Sequence, residues 1–441
     1  MQRHLIKSLQ AWRAKKNRKP LILMGVRQTG KTYLLKQFGA QHFVRCHYIN
    51  FEEQPTACTL FTGDLDPRQI LNQLAFYLHA PIDIHQDLVI FDEIQACPRA
   101  LTSLKYFCEQ LPELALCSAG SLLGLTLNEG SYPVGKVDML HLYPLTFSEF
   151  LAGVGDQHAV DYLWRLDLGS SIPEAIHQQL WERLKQYFVT GGLPEVVALF
   201  AQDQTDLYAA TSRVRQKQKE LIYAYYADIA KHSGKVKAMH IDRTWRAVPL
   251  QLSSTQDGET SRFKFKGIIP GINRYQQLVN VIDWLESAEL VIKLPLVDTI
   301  KQPLLAFTKA NFFKLFMFDV GILGAMSELD PKIIYDYGYG SYQGYFAENF
   351  VAQQLLATYQ QTLFTWQENR SEIEFLLQWE GQVIPVEVKS GSVTRAKSLE
   401  KYIELYQPNR SFILSARPLQ SQTQQVKTYL PLYLSERLLD I

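Results

Sequence analysis

Gly25-Val26-Arg27-Gln28-Thr29-Gly30-Lys31-Thr32 sets a glycine, four free positions and then Gly-Lys-Thr, the spacing of a loop that wraps phosphate. Glycines let the backbone curl round phosphate oxygens, and a helix that starts at the loop offers free N–H groups to an anion. Lys31 then reaches the β- and γ-phosphates of a nucleotide, and the Thr32 hydroxyl is placed to ligate Mg²⁺. The flanking residues supply the context. Pro20-Leu21-Ile22-Leu23-Met24 reads as a buried strand, and Tyr33-Leu34-Leu35-Lys36-Gln37-Phe38 as the first turns of a helix. The nucleotide-contacting set is this loop together with Tyr33.

Binding phosphate is only half of hydrolysis. Leu88-Val89-Ile90-Phe91-Asp92-Glu93 is an apolar run that ends in two acids. It reads as a buried parallel strand with carboxylates at its C-terminal tip, the edge at which open α/β sheets bind ligands. Asp92 would sit at the Mg²⁺, and Glu93 would orient and polarise the attacking water; Lys31 and Glu93 are the catalytic pair of this site. A strand closing in acidic turn residues is the plainer alternative. Two further strands fit the same sheet, Arg45 to Phe51 with Asn50 near its tip, and Leu114 to Ser121 with Ser118 and Ser121 at its end. A hydroxyl or amide at such a tip can sense the γ-phosphate, or simply close a turn.

A second group of charges lies near the C-terminus. Strand alternation puts Glu372 and Glu374 on one face of Glu372–Leu377, and Glu387 and Lys389 on one face of Val383–Lys389. Glu380-Gly381 turns one strand into the other, so the polar faces can meet. Carboxylates on adjacent strands with a lysine two residues on make a Mg²⁺ site for phosphodiester cleavage. This constellation resembles the PD-(D/E)XK nucleases. The resemblance implies Glu374 as the first acid, Glu387 as the second, Lys389 as the lysine and Glu348 as an acid on the preceding helix. Glu348, Glu374 and Glu387 are then metal ligands, and Glu374, Glu387 and Lys389 the catalytic set. Glu374 stands where aspartate is usual, one methylene longer. A degenerate fold that binds without cutting, or a half-exposed hairpin with ordinary surface charges, fits the same residues.

The elements between these sites must hold them. The chain has 441 residues, room for several cores, with 47% hydrophobic and 20% charged residues and a net charge of +1. That balance gives no global attraction to nucleic acid. No apolar run is long enough to span a bilayer and the first residues lack a signal-peptide core, so a cytoplasmic protein without a membrane partner is expected. Cys46, Cys58, Cys97, Cys108 and Cys117 are scattered and read as reduced thiols without zinc spacing. Tyr208 to Lys231 reads as a helix with an apolar stripe through Leu221, Ile222, Tyr225 and Ile229. From Ala238 to about Val297 the pattern resembles a winged helix: helical pieces at Trp245–Leu252 and Tyr275–Leu290 flank the strand-like Phe263-Lys264-Phe265-Lys266. Its candidate recognition helix is poor in Arg and Lys, so a structural or protein-binding role fits as well as a DNA-reading one.

The whole resembles a bacterial and archaeal group of AAA-type P-loop ATPases that carry a following domain of unknown function. The matching pieces are Gly25–Thr32, Phe91-Asp92-Glu93-Ile94-Gln95, Ala119-Gly120-Ser121, Tyr143–Phe150, Gly191-Gly192-Leu193-Pro194-Glu195 and Phe318-Asp319-Val320-Gly321. The family tends to place an arginine after a glycine upstream of the Pro-Leu segment; here Gly135-Lys136 stands there, and a lysine cannot offer a bidentate fork to a neighbouring subunit's nucleotide. The expected class is α/β: an AAA-type parallel sheet flanked by helices in residues 1–150, a helical lid or connector in 151–235, a winged-helix-like domain in 236–335 and a small α/β nuclease-like domain in 336–441. The resemblance implies Mg²⁺-dependent ATP binding and hydrolysis, with ADP as product, coupled to DNA or another partner and with a homo-oligomer as a candidate assembly. A nucleotide-gated nuclease and an ATP-switched partner-binding protein are the alternatives.

Overall fold

Apolar runs of four or five residues build the first sheet: β1 (Leu21–Met24), β2 (Cys46–Asn50), β3 (Leu88–Asp92), β4 (Ala115–Ala119) and β5 (Asp138–His141). In this computed structural model they pair in the order β2-β3-β4-β1-β5, every pair parallel. A parallel sheet needs cover on both faces, and alternate residues enter separate cores. Ile22, Met24, Val89 and Phe91 face one way with Ile70, Leu74, Leu104 and Phe107. Leu21, Leu23, Leu88 and Ile90 face the other with Leu9, Leu34, Leu35 and Phe38. The covering helices are α1 (Leu5–Ala14), α2 (Lys31–His42), α3 (Pro67–Tyr77) and α4 (Pro98–Gln110). Beneath the tip of β3, the Phe91 ring meets Phe51 at 5.5 Å and Phe61 at 5.6 Å, edge to face, contacts worth roughly 0.5–1.5 kcal/mol each beyond their buried area.

The structure describes residues 1–121, 133–254, 262–336, 343–369, 371–391, 396–421 and 426–440. They divide into two units, Gln2–Tyr143 and Pro144–Ile441. The second opens with helices α5 (Phe147–Gly153), α6 (Gln157–Arg165), α7 (Glu174–Thr190), α8 (Pro194–Gln202), α9 (Leu207–Ser233), α10 (Lys235–Ser254) and α11 (Tyr275–Ser287). Strands β6 (Val291–Val297) and β7 (Thr308–Met317) follow, then α12 (Val320–Met326), α13 (Pro331–Asp336) and α14 (Gln343–Tyr359). The chain ends with β8 (Phe364–Glu368), β9 (Ser371–Trp379), β10 (Gln382–Val388), α15 (Lys397–Tyr406), β11 (Ser411–Ser415) and β12 (Lys427–Pro431). These strands form one mixed sheet in the order β12-β11-β10-β9-β8-β6-β7. It draws β6 and β7 from the 236–335 stretch and the other strands from 336–441. One core shows the same merger, with Val297 and Leu304 packed with Trp366, Leu399 and Tyr402. Phe263-Lys264-Phe265-Lys266, strand-like by alternation, lies outside the ladders; Phe263 N–H donates to Phe313 O at 3.0 Å, and the Phe265 ring packs on Tyr275 and Phe313.

Three of the resemblance-bearing pieces meet inside this unit. Thr146 and Glu149 form a reciprocal cap at the start of α5. Leu145 N–H donates to Gly192 O at 2.6 Å, and Gly192 N–H donates to Asp319 at 2.6 Å. A Cβ at Gly192 would stand 2.3 Å from Leu145 O, so only glycine admits this approach. Asp319 also accepts from Ile322 N–H at 3.0 Å, and Gln354 accepts from Phe147 N–H at 2.8 Å. Ser148 gives both its N–H and its hydroxyl to Glu436, at 2.7 Å each.

Candidate functional site

β1 delivers Gly25 to the loop at φ 140°, where a Cβ would lie 2.3 Å from Leu142 O. Conformation and space both require glycine there. Gly30 caps α2, and Thr29, fully buried, turns its hydroxyl onto Val26 O at 2.9 Å. Lys31, 7% exposed, donates to Gly25 O at 2.7 Å and Val26 O at 2.9 Å. Its ammonium therefore lies inside the loop that is meant to hold phosphate. Arg27 donates to Ser121 Oγ at 3.1 Å and pairs with Glu52 at 3.4 Å. Tyr33 is exposed on the next position of α2.

β3 brings Asp92 to the same place. Thr32 Oγ1 donates to Asp92 Oδ2 at 2.6 Å. Asp92 is 2% exposed, and its other oxygen accepts from Glu93 N–H at 3.0 Å. The Tyr48 hydroxyl on β2 donates to the same Asp92 oxygen at 2.8 Å. Burial first, and then the Asp92 carboxylate, push the Tyr48 phenol up, so it stays a donor. Asn50 accepts from Glu52 and Glu53 N–H at 2.9 and 3.1 Å and reaches the Tyr48 hydroxyl at 3.4 Å. Its place is a turn and a prop for Tyr48. Glu93 stands at φ 47°, ψ 47°, a left-handed conformation uncommon outside glycine, and accepts from Gln95 Nε2. Ser118 is buried at the sheet centre, with no hydrogen-bond partner for its hydroxyl among the described residues. Lys136 pairs with Glu109 at 2.9 Å on the surface. Thr32, Lys31, Asp92 and Glu93 thus lie together at one edge of the parallel sheet. Oxygen donors from a hydroxyl and a carboxylate suit Mg²⁺, a hard cation.

The second unit gathers Glu348, Glu374, Glu387 and Lys389 as well, in a different arrangement. Glu387 on β10 pairs with Lys389 at 2.6 Å and is 2% exposed, while Glu374 on β9 accepts from Val388 N–H at 3.1 Å. Lys314 of β7 enters the group, paired with Glu372 and 3.7 Å from Glu348. Burial raises the Glu374 and Glu387 carboxyls; Glu387's charge adds to the rise at Glu374, and Lys389 opposes both. Burial also lifts Glu348, to about 7, against the pull of Lys314. Among the described residues, no group of three His, Cys, Asp or Glu side chains is placed to hold a metal ion. As they stand, Glu372 and Glu348 face the Lys314 ammonium and Glu387 faces Lys389, so a divalent ion would have to displace these cations.

Residues 17–151 match the model of the AAA domain family. The first unit has the fold of an AAA-type P-loop ATPase. Residues 181–333 match a domain of unknown function, DUF8612, and residues 343–434 another, DUF4143. Among solved structures, the Walker-type ATPase Paby2304 of Pyrococcus abyssi is 16% identical over 73% of this chain and 94% of its own, at a TM-score of 0.46. Cdc6p of Pyrobaculum aerophilum is 14% identical over 75% and 94%, at 0.30. The Orc1 protein of Aeropyrum pernix, solved in complex with DNA, is 14% identical over 74% and 90%, at 0.25. Likenesses this loose leave substrate and partner to the chain's own residues. No curated protein matches the sequence. Among the described residues no helix is long and apolar enough to cross a membrane.

Three side chains in and around these sites carry no motif. Tyr48 precedes Asn50 by two, so strand alternation already placed both on one side. Arg3, buried, donates from α1's entry to Thr29 O at 3.1 Å, inside the loop of the AAA-type unit, and to Tyr143 O; nothing local marks it. Lys314 is the lone charge in Phe312-Phe313-Lys314-Leu315-Phe316, an apolar strand, which is its only signal.

Proposed function

We propose that the AAA-type unit binds ATP with Mg²⁺ and hydrolyses it. The observation that carries the reading is the 2.6 Å bond between Thr32 and Asp92 beside the buried Lys31. It unites the phosphate loop and the acidic strand tip at one point, as phosphoryl transfer requires. Lys31 would exchange its two loop carbonyls for β- and γ-phosphate oxygens. The first N–H groups of α2 would face the same anion. Glu93 would orient water for in-line attack and accept its proton, with Gln95 restraining the carboxylate until the nucleotide is seated. Mg²⁺ held by Thr32 and, through water, by Asp92 would neutralise the charge that gathers on the phosphates. The work done with that energy is proposed to fall on DNA engaged by residues 144–441, in a homo-oligomer.

The test is steady-state ATP turnover by the full chain, alone and with duplex, branched or single-stranded DNA. Turnover lost in both Lys31→Ala and Glu93→Gln supports the reading, and stimulation by one DNA form supports the coupling. Absence of nucleotide binding by calorimetry sinks the whole. Turnover indifferent to every DNA removes DNA from it.

A further inference from the structure

The charged cluster of the second unit is built by four elements, and the nucleotide reading leaves it unused. Asn349 on α14 clamps the end of β7: its Oδ1 accepts from Met317 N–H at 2.8 Å and its Nδ2 donates to Met317 O at 3.0 Å. Two bonds to one residue fix β7 against the helix that carries Glu348. Lys314, three residues back on β7, is thereby carried in among buried neighbours with its side chain 3% exposed. Its ammonium meets Glu372 and lies 3.7 Å from Glu348. Glu387 keeps one carboxylate oxygen buried without a hydrogen-bond donor among the described residues.

We propose that Lys314 is the resident cation of this cluster, and that the second unit takes no divalent metal at its carboxylates because of it. A divalent ion of the Mg²⁺ or Ca²⁺ kind needs several oxygens within about 2.0–2.6 Å of one point. Glu372 is spent on an ammonium, and Glu348 faces the same one. One oxygen of Glu387 is held by a second, Lys389. An incoming dication would meet a buried like charge that has no water to screen it. The ammonium can leave only by exposing paired carboxylates in a dry interior, which is costly. Metal-assisted phosphodiester cleavage, the chemistry that the Glu374, Glu387 and Lys389 spacing suggests, is not served by such a site. A rigid face whose carboxylates are engaged by two ammonium groups, able to bind but not to cut, is what remains. This inference stands whether or not the first unit hydrolyses ATP.

The experiment titrates Mn²⁺ alone into the full chain carrying Asp92→Asn, which removes the acid of the first unit, and follows free Mn²⁺ by paramagnetic resonance. No saturable site is expected in that background, and Glu387→Gln should change nothing. Adding Lys314→Met should create one site, with affinity up by roughly tenfold or more as the like charge is removed, and Glu387→Gln should abolish it again. Lys314→Gln, neutral and polar, is read beside it in case the methionine disturbs folding, with a thermal melt on each variant. A Mn²⁺ site already present in the Asp92→Asn chain and lost with Glu387→Gln overturns the proposal. So does a folded Lys314→Met or Lys314→Gln chain that gains no site. If neither variant folds, the first pair of titrations still decides.

Discussion

Lys31 and Lys314 are both buried ammonium groups, and their partners separate them. Lys31 donates to two neutral backbone carbonyls. Lys314 is held by carboxylates. A hydrogen bond from an ammonium to a neutral carbonyl is worth about 1.5–3 kcal/mol net, and an incoming triphosphate replaces the carbonyl with a fully charged acceptor. A buried ion pair is different, because removing one partner strands the other charge. The lesson is that a lysine among acids is no evidence of catalysis. What matters is whether its present partners can be exchanged for a substrate.

The largest test of that contrast is chemical. Lys31→Ala is expected to lower ATP turnover by roughly 10²-fold or more, the scale of a lost charge at a transferring phosphoryl group. Glu93→Gln should lower it by about 10²–10⁴-fold while nucleotide binding survives. Rapid-quench turnover and a fluorescent nucleotide titration separate the two. Lys314→Gln should leave turnover in place. If instead Lys314→Gln abolishes turnover in a folded chain, the division of roles between the two lysines fails.

The converse test is stability. Glu372→Gln leaves Lys314 with a buried, poorly paired charge and is expected to destabilise the second unit by about 3–5 kcal/mol. Joint replacement by Lys314→Met and Glu372→Leu should recover much of that loss. Urea unfolding of the three chains measures it. Lys31→Ala, which gives up hydrogen bonds to Gly25 O and Val26 O, should shift the first unit by less. Equal losses for the two lysine sites would erase the distinction.

Asp319 offers a third comparison, a buried acid with no cation bonded to it among the described residues. Burial pushes its carboxyl up to about 6, against the backbone bonds from Gly192 and Ile322. An acid raised from 3.8 to about 6 favours the protonated folded form, so its stabilising share is full below pH 3.8 and is lost as pH rises through about 6. Between pH 5 and pH 7 the loss is about 1 kcal/mol. Asp319→Asn cannot accept from Gly192 N–H and Ile322 N–H with both side-chain atoms, and should cost about 1–3 kcal/mol. The gap between the two chains should narrow as pH rises from 5 to 7, because only the native chain titrates there. A gap that widens contradicts the sign.

What the sequence disclosed follows the same division. The candidate nucleotide site was legible as a pattern because its groups are contiguous. Gly25 to Thr32 is one turn and Leu88 to Glu93 one strand, so local pattern already implied geometry. Four of the five parallel strands were legible as apolar runs, whereas β5 (Asp138–His141), half-exposed at the sheet edge, and the strand order were not. Glu372 to Lys389 was legible as a hairpin, since period two and Glu380-Gly381 fix it locally. Lys314 was not, because its role depends on Asn349 fastening β7 to a helix over 30 residues later. Arg3 escaped for the same reason, meeting Thr29 through a fold and not through a motif. Merger of β6 and β7 into the C-terminal sheet is likewise non-local, since strand pairing across long separations leaves no periodic trace.

The smallest expected effect probes how Asp92 itself is held. Two hydroxyls donate to one of its oxygens, Thr32 at 2.6 Å and Tyr48 at 2.8 Å. Tyr48→Phe removes one of them and keeps the ring, on which the Lys36 ammonium sits 3.4 Å from the centroid. Packing and cation–π contact are therefore preserved, and the change isolates a hydrogen bond worth about 1 kcal/mol, a few-fold in an equilibrium. Half-maximal turnover should need a few-fold more Mg²⁺, with the saturating rate little changed, because the hydroxyl orients a carboxylate and touches no reacting atom. Asn50→Ala should instead lower thermal stability without moving the Mg²⁺ requirement, since its stronger bonds go to Glu52 and Glu53 N–H. If Tyr48→Phe leaves the Mg²⁺ dependence where it was, Asp92 is positioned by its strand and Thr32 alone, and the exchangeable character of this edge extends one residue further than Lys31.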